Sequence, residues 1–173
     1  MQNTSIRKIL LIIAVLILIC SAIIFIPYQK HFVFIDSETG VLAARIPVVE
    51  ERFKIRYTHS IHLSDVIESY ELSADGQLIL TELEYEDFNI GMPSNAGEGE
   101  RFVEKDGKYF IQNMKRELPE FRLLIGDVDA ELVFLFAGQE IDLKQSLERG
   151  KIYTFRAERL SIYQQSEGVN IYE

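Results

Sequence analysis

The sequence contains one cysteine, Cys20, so no disulfide can form within the chain. A folded domain built from it must hold without covalent staples, and cysteine usage reports no redox compartment. Basic residues are scarce as well: 18 Lys and Arg stand against 27 Asp and Glu, a formal net charge of −9. Arg7 and Lys8 both precede the first acidic residue, Asp36, so the rest of the chain is more acidic than that total. Such a surface repels the phosphates of nucleic acid and the headgroups of anionic lipid, so no nucleic-acid partner is expected. The charge suits solubility of an exposed domain. Several motifs are missing too. There is no G-x-S-x-G elbow, no H-E-x-x-H and no G-K-[ST], and no internal repeat or low-complexity tract.

The chain does have one long apolar run. Residues 9–26 read ILLIIAVLILICSAIIFI without a charge. About 18 residues of helix reach roughly 27 Å, close to the hydrocarbon thickness of a bilayer. In lipid a lone segment must satisfy its own backbone, which only a helix does, so the β-branched residues do not argue against one. Pro27 stops it and Tyr28 stands where an interfacial aromatic would. A cleaved signal peptide fits poorly, because Cys20-Ser21-Ala22 runs on into Ile23-Ile24-Phe25-Ile26, and Ile19 is too large for a lipoprotein site. A core helix is excluded because the run has no polar face. An uncleaved signal anchor is therefore expected. Residues 1–8 would be cytoplasmic by their positive charge, and a domain over residues 28–163 would lie outside the cytoplasmic membrane, followed by a polar, frayed tail over 164–173.

Beyond Lys30 the hydrophobic period becomes two. Phe53, Ile55 and Tyr57 alternate with Lys54, Arg56 and Thr58; Val66, Glu68, Tyr70 and Leu72 share a second face. Turn signals separate the strands at Ser37-Glu38-Thr39-Gly40, Ser73-Ala74-Asp75-Gly76, Lys105-Asp106-Gly107-Lys108 and Gly126-Asp127-Val128-Asp129. The last of these predicts a hairpin between residues 121–125 and 131–136. Asp142 and Gly150 bracket one short helix near 142–149. Nine or ten short strands so joined predict an all-β fold, an antiparallel sandwich or barrel, behind a single N-terminal transmembrane helix.

Residues 56–71, RYTHSIHLSDVIESYE, carry two of the three histidines and several carboxylates. His59 and Ser60 are adjacent, so on a strand they face opposite ways and make no nucleophile–base pair by themselves. His59, His62 and Glu68 form an alternative metal or hydrolase set, since imidazole and carboxylate bind divalent ions. Glu68 stands out because it shares a face with residues that point inward. A carboxylate there is costly unless paired, and His59, Arg56 or Arg116 are candidate partners. His59, Ser60, Glu68 and Arg116 are thus candidate ligand-binding residues. The stretch 88–99, FNIGMPSNAGEG, breaks the strand rhythm; Gly91 and Pro93 mark it as a candidate lid, although it lacks the signature of a phosphate cradle. No cofactor is expected.

Tyr57-Thr58-His59-Ser60, then Glu68, Gly91-x-Pro93 and Arg116 with Pro119, come in an order that resembles the bacterial domain-of-unknown-function family 1850. The resemblance runs from about Val41 to Arg156. It departs at Asn89-Ile90-Gly91, where the family reads Gly-x-Gly. It implies a small exported protein encoded beside TRAP transporters of the TAXI type, which take up organic solutes through an extracytoplasmic binding protein and an ion gradient. The implied role is a non-catalytic accessory, with the TRAP permease or the solute-binding protein as partner. No catalytic residues are established for the family, so the resemblance transfers none. A structural envelope module is a third reading.

Overall fold

The computed structural model describes residues 2–59, 63–86, 93 and 95–172. Helix α1 (Gln2–Ile24) opens the chain. Within it, Ile6–Ile24 is long and apolar enough to cross a membrane, and its described side chains are exposed. The helix ends before Pro27, whose ring disfavours helical backbone in the residue ahead of it.

Two antiparallel sheets follow. Their strands are β1 (Gln29–Asp36), β2 (Leu42–Pro47), β3 (Arg52–Thr58), β4 (Asp65–Leu72), β5 (Leu78–Tyr85), β6 (Arg101–Lys105) and β7 (Lys108–Gln112). Next come β8 (Arg116–Leu118), β9 (Phe121–Leu124), β10 (Leu132–Phe136), β11 (Gln139–Asp142), β12 (Ile152–Leu160) and β13 (Val169–Asn170). The smaller sheet runs β13-β2-β1-β12-β9 and the larger β11-β10-β3-β4-β5-β7-β6, with β8 also pairing with β5. Among the described residues only β13, parallel to β2, departs from antiparallel pairing.

Local chemistry sets the turns. Asp36 ends β1 by accepting the backbone N–H groups of Glu38 (2.9 Å) and Thr39 (3.0 Å), and Gly40 takes φ +71°. Those N–H groups, Thr39 first, together with Lys151, hold the Asp36 carboxyl down at about 2. The β4–β5 and β6–β7 hairpins turn at Gly76 and Gly107, both at positive φ.

The core lies between the sheets. Phe32, Phe34 and Phe155 of the smaller sheet meet Phe53, Phe134 and Phe136 of the larger. A second, smaller cluster of Val66, Leu83, Tyr85, Ile111 and Met114 extends along the larger sheet.

The expected sandwich is therefore present, with four corrections. The strand pair over Gly126–Asp129 is not a hairpin: β9 pairs with β12 and β10 with β3, so residues 125–131 carry the chain from one sheet to the other. Turn composition marks where a chain bends, but not which neighbour it then joins. The helix near 142–149 shrinks to α2 (Leu143–Ser146); Asp142 caps it as expected, but it ends at Leu147, well before Gly150. The tail is not frayed. Ser161 caps α3 (Ile162–Glu167) in a reciprocal capping box with Gln164, and β13 then joins β2. Finally, β1 starts at Gln29, so the strand pattern expected beyond Lys30 begins ahead of it.

Candidate functional site

Strand register places Glu68 in the middle of an apolar row. Across the inner face of the larger sheet the partners run Phe134, Ile55, Glu68, Leu83 and Ile111. Glu68 is the one charged member of that row and stands where the main core gives way to the second cluster. Two phenols donate to it. The Tyr70 hydroxyl donates to Oε2 at 2.6 Å and the Tyr57 hydroxyl to Oε1 at 3.4 Å. Burial first, and then the Glu68 charge, push both phenols above their ordinary pKa, so both remain donors at physiological pH. The Tyr70 ring stacks with Phe53 at 5.0 Å and with Phe121 at 5.4 Å.

Glu68 and Tyr57 form part of the wall of a cleft of about 350 Å³. Phe121 and Leu123 of β9, the open edge of the smaller sheet, form the facing wall. Val128 and Ala130 of the segment that crosses between the sheets, with Lys144 of α2, complete the mouth. The lining is mainly apolar, with a volume in the range of small-molecule sites. Its described residues include no histidine, serine or cysteine. What the arrangement can do is present a carboxylate at the wall of an apolar slot; it assembles no serine- or cysteine-type nucleophile–base pair.

A larger groove, about 1110 Å³, lies on the other side of the same sheet. Its floor carries Lys54, Ser69, Glu82 and Gln112, and Gln112 Nε2 donates to Glu82 at 2.9 Å. Gln112 and Glu82 thus answer one another on an open face, and the groove offers less than the Glu68 cleft.

Of the residues proposed from sequence, Glu68 lies inward as expected. Its hydrogen-bond partners among the described residues are tyrosines, where His59 or an arginine was expected. Arg56 alternates with Tyr57, faces the other way and pairs with Glu140 (2.9 Å) and Glu131 (3.6 Å). Arg116 is exposed on β8 and makes a forked contact with Glu100, which also accepts the Gly97 N–H. Arg116 therefore ties down the end of the 88–99 loop and does not belong to the Glu68 cleft. His59 follows β3 and is partly exposed; its N–H bonds to the Ser64 carbonyl (2.8 Å) and its carbonyl accepts from Leu63 (2.9 Å). Ser60, His62 and Gly91 lie outside the described residues. Pro93 is described, and its carbonyl accepts the hydroxyl of buried Tyr85. With Ala96, which packs on the second cluster, it seats the described part of the loop there. Among the described residues no group of three or more His, Cys, Asp or Glu is placed to hold a metal ion.

Sequence reasoning missed the two tyrosines and Phe121. Tyr57 and Tyr70 were legible as inward residues, and a phenol two positions from an inward carboxylate on one strand was the available signal. Nothing marked Phe121, whose strand pairs with β12 and not with the hairpin partner expected from sequence. His31 also went unnoticed. It is fully buried, with Nδ1 3.1 Å from the Gln29 carbonyl and Nε2 3.4 Å from Arg45. Burial chiefly lowers its pKa, aided by Arg45 and opposed by the Gln29 carbonyl.

The geometry carries a testable energy. A hydrogen bond to a charged group contributes about 1.5–3 kcal/mol. Tyr70→Phe removes the shorter donor and keeps the ring stack, so it is expected to cost stability in that range. Tyr57→Phe, at 3.4 Å, should cost clearly less. Urea titration of both variants checks the order; equal costs would show that the shorter hydrogen bond from Tyr70 is worth no more to Glu68 than the longer one from Tyr57.

The profile of a family described as a domain of unknown function, DUF1850, matches residues 53–143, just over half of the chain. The chain belongs to DUF1850. The matched DUF1850 segment starts in β3 and ends where α2 begins, so it spans β3 to β11. It includes Tyr57, Glu68, Tyr70 and Phe121, and every residue of the cleft except Lys144. No match was found among curated proteins or among solved structures.

Proposed function

We propose that this DUF1850 protein is a single-pass, membrane-anchored accessory protein of a TRAP-type (TAXI) solute uptake system. Its β-sandwich stands on the extracytoplasmic face and binds a small ligand in the Glu68 cleft without catalysing a reaction. One observation carries the binding role: Glu68 offers a carboxylate to an apolar cleft and has no ion-pair partner among the described residues. Family membership supports the transport setting, as the resemblance implies. The apolar helix Ile6–Ile24 supports the anchor, and Arg7 and Lys8 at its N-terminal end support a cytoplasmic N-terminus.

The domain is also tied to the end of that helix. The Tyr28 N–H donates to the Leu160 carbonyl at 3.2 Å, and Arg159 donates to the Tyr28 carbonyl at 2.7 Å. Phe25 and Tyr163 meet with ring centroids 5.2 Å apart. Exposed Phe25, Tyr28, Ile162 and Tyr163 suit the boundary between lipid and water, where amphipathic rings settle.

Affinity purification of the full chain from mild detergent tests the proposal. The TRAP permease or the solute-binding protein should be recovered with it, and a deletion strain should lose solute uptake. Repeated purification without either partner, with normal uptake and a disturbed envelope, would favour the structural envelope module instead.

A further inference from the structure

We infer that the Glu68 cleft takes a protonated amine carried on a short apolar body, with the ammonium group against the Glu68 carboxylate. This rests on reading the cleft as a binding site, but not on the identity of the transport partner.

Charge balance gives the first reason. A carboxylate accepts about four hydrogen bonds. Tyr57 and Tyr70 supply two to Glu68, and both phenols are neutral. A partly buried carboxylate without a cation is a costly arrangement, because neutral donors offset only part of its lost hydration. None of the ion pairs among the described residues involves Glu68; the cations that form them are held by other acids. An incoming ammonium provides the charge and donates to the unused lone pairs.

The walls give the second reason. Phe121, Leu123 and Ile55 suit an alkyl body, and Tyr57 presents an aromatic ring of the kind that attracts a cation. A bare metal ion suits this lining poorly, because it needs several oxygen ligands and finds one carboxylate. An anion is opposed by Glu68 itself. At the rim, Arg122, Glu131 and Lys144 carry charges of both signs. Lys144 already donates to the Val128 carbonyl at 2.7 Å. The charge specific to the inner wall is therefore the negative one.

The test uses the full chain in neutral maltoside micelles and three probes of similar size: n-butylammonium, 1-butanol and butyrate. Ligand-observed NMR titration is expected to show n-butylammonium binding on the order of millimolar, as suits so small a molecule. Butanol should bind at least about tenfold more weakly, and butyrate should not bind. Glu68→Gln should weaken the amine about tenfold or more and leave butanol unchanged. Leu124→Lys, at a cleft residue 58% exposed, adds positive charge at the mouth without disturbing the core. It should weaken the amine several-fold, which keeps the proposal testable if Glu68→Gln does not fold. Equal binding of butanol and butylammonium, or an amine affinity unchanged in either folded variant, would overturn the inference. Recovery of TRAP subunits without amine binding would remove only the ligand; amine binding without those subunits would remove only the partner.

Discussion

Phe134→Ala is expected to destabilise the domain by about 3–5 kcal/mol, the range for deleting a large buried ring. Phe134 is fully buried, and its ring lies 5.0 Å from Phe53, 5.7 Å from Phe32 and Phe155, 5.9 Å from Phe136 and 6.3 Å from Phe34. Those neighbours come from both sheets, so truncation opens a cavity at the place where the layers are joined. The five rings have fixed backbones and cannot all collapse inward to fill it. Domains of this size hold about 5–15 kcal/mol in total, so one such cavity takes a large share. Urea unfolding of the full chain in micelles, followed by the near-UV dichroism of its tyrosines, gives the number. Leu124→Ala, at an exposed site, is the control and should change stability by less than about 0.5 kcal/mol. A cost near that of the control would mean that the sheets are not held together through Phe134.

Leu16→Arg is expected to disfavour insertion of the first helix by about 3–4 kcal/mol, since a charge at the middle of a span is poorly tolerated and leucine is well tolerated there. Leu16 sits near the centre of Ile6–Ile24. The fraction of chain that survives carbonate extraction of membranes should drop sharply. Ile6→Arg, beside Arg7 at the end of the span, should have little effect, because a long basic side chain there reaches the interface. If the Leu16 variant stays in the carbonate-resistant fraction like the parent chain, this helix is not what holds the protein to the membrane.

The readable parts of the fold share a local origin. The alternation Phe53, Ile55, Tyr57 gave the inner face of β3, and Val66, Glu68, Tyr70, Leu72 gave that of β4, because side chains on a strand must alternate. Asp142 as a helix cap and Gly76 and Gly107 as turn residues were legible for the same reason: each acts within a few positions of itself. The errors had a different source. β9 was paired with β10 because they are neighbours in sequence, whereas packing put them in separate sheets. The C-terminal segment looked too polar to be ordered, yet its capping box and the edge of β2 hold it.

The candidate site divides along the same line. That Glu68 points inward follows from the period of its strand. That two phenols and not an arginine donate to it follows from register, because Tyr57 lies on the adjacent strand and Arg56, one residue away, faces the opposite side. Sequence alone determined the apolar first helix, the acidic body, the antiparallel strand class and membership of the family, since each depends on composition or on short-range pattern. Tertiary structure alone decided that a cleft exists beside Glu68. Its facing wall comes from β9, more than fifty residues further along the chain, and only the crossing from one sheet to the other brings that wall into place.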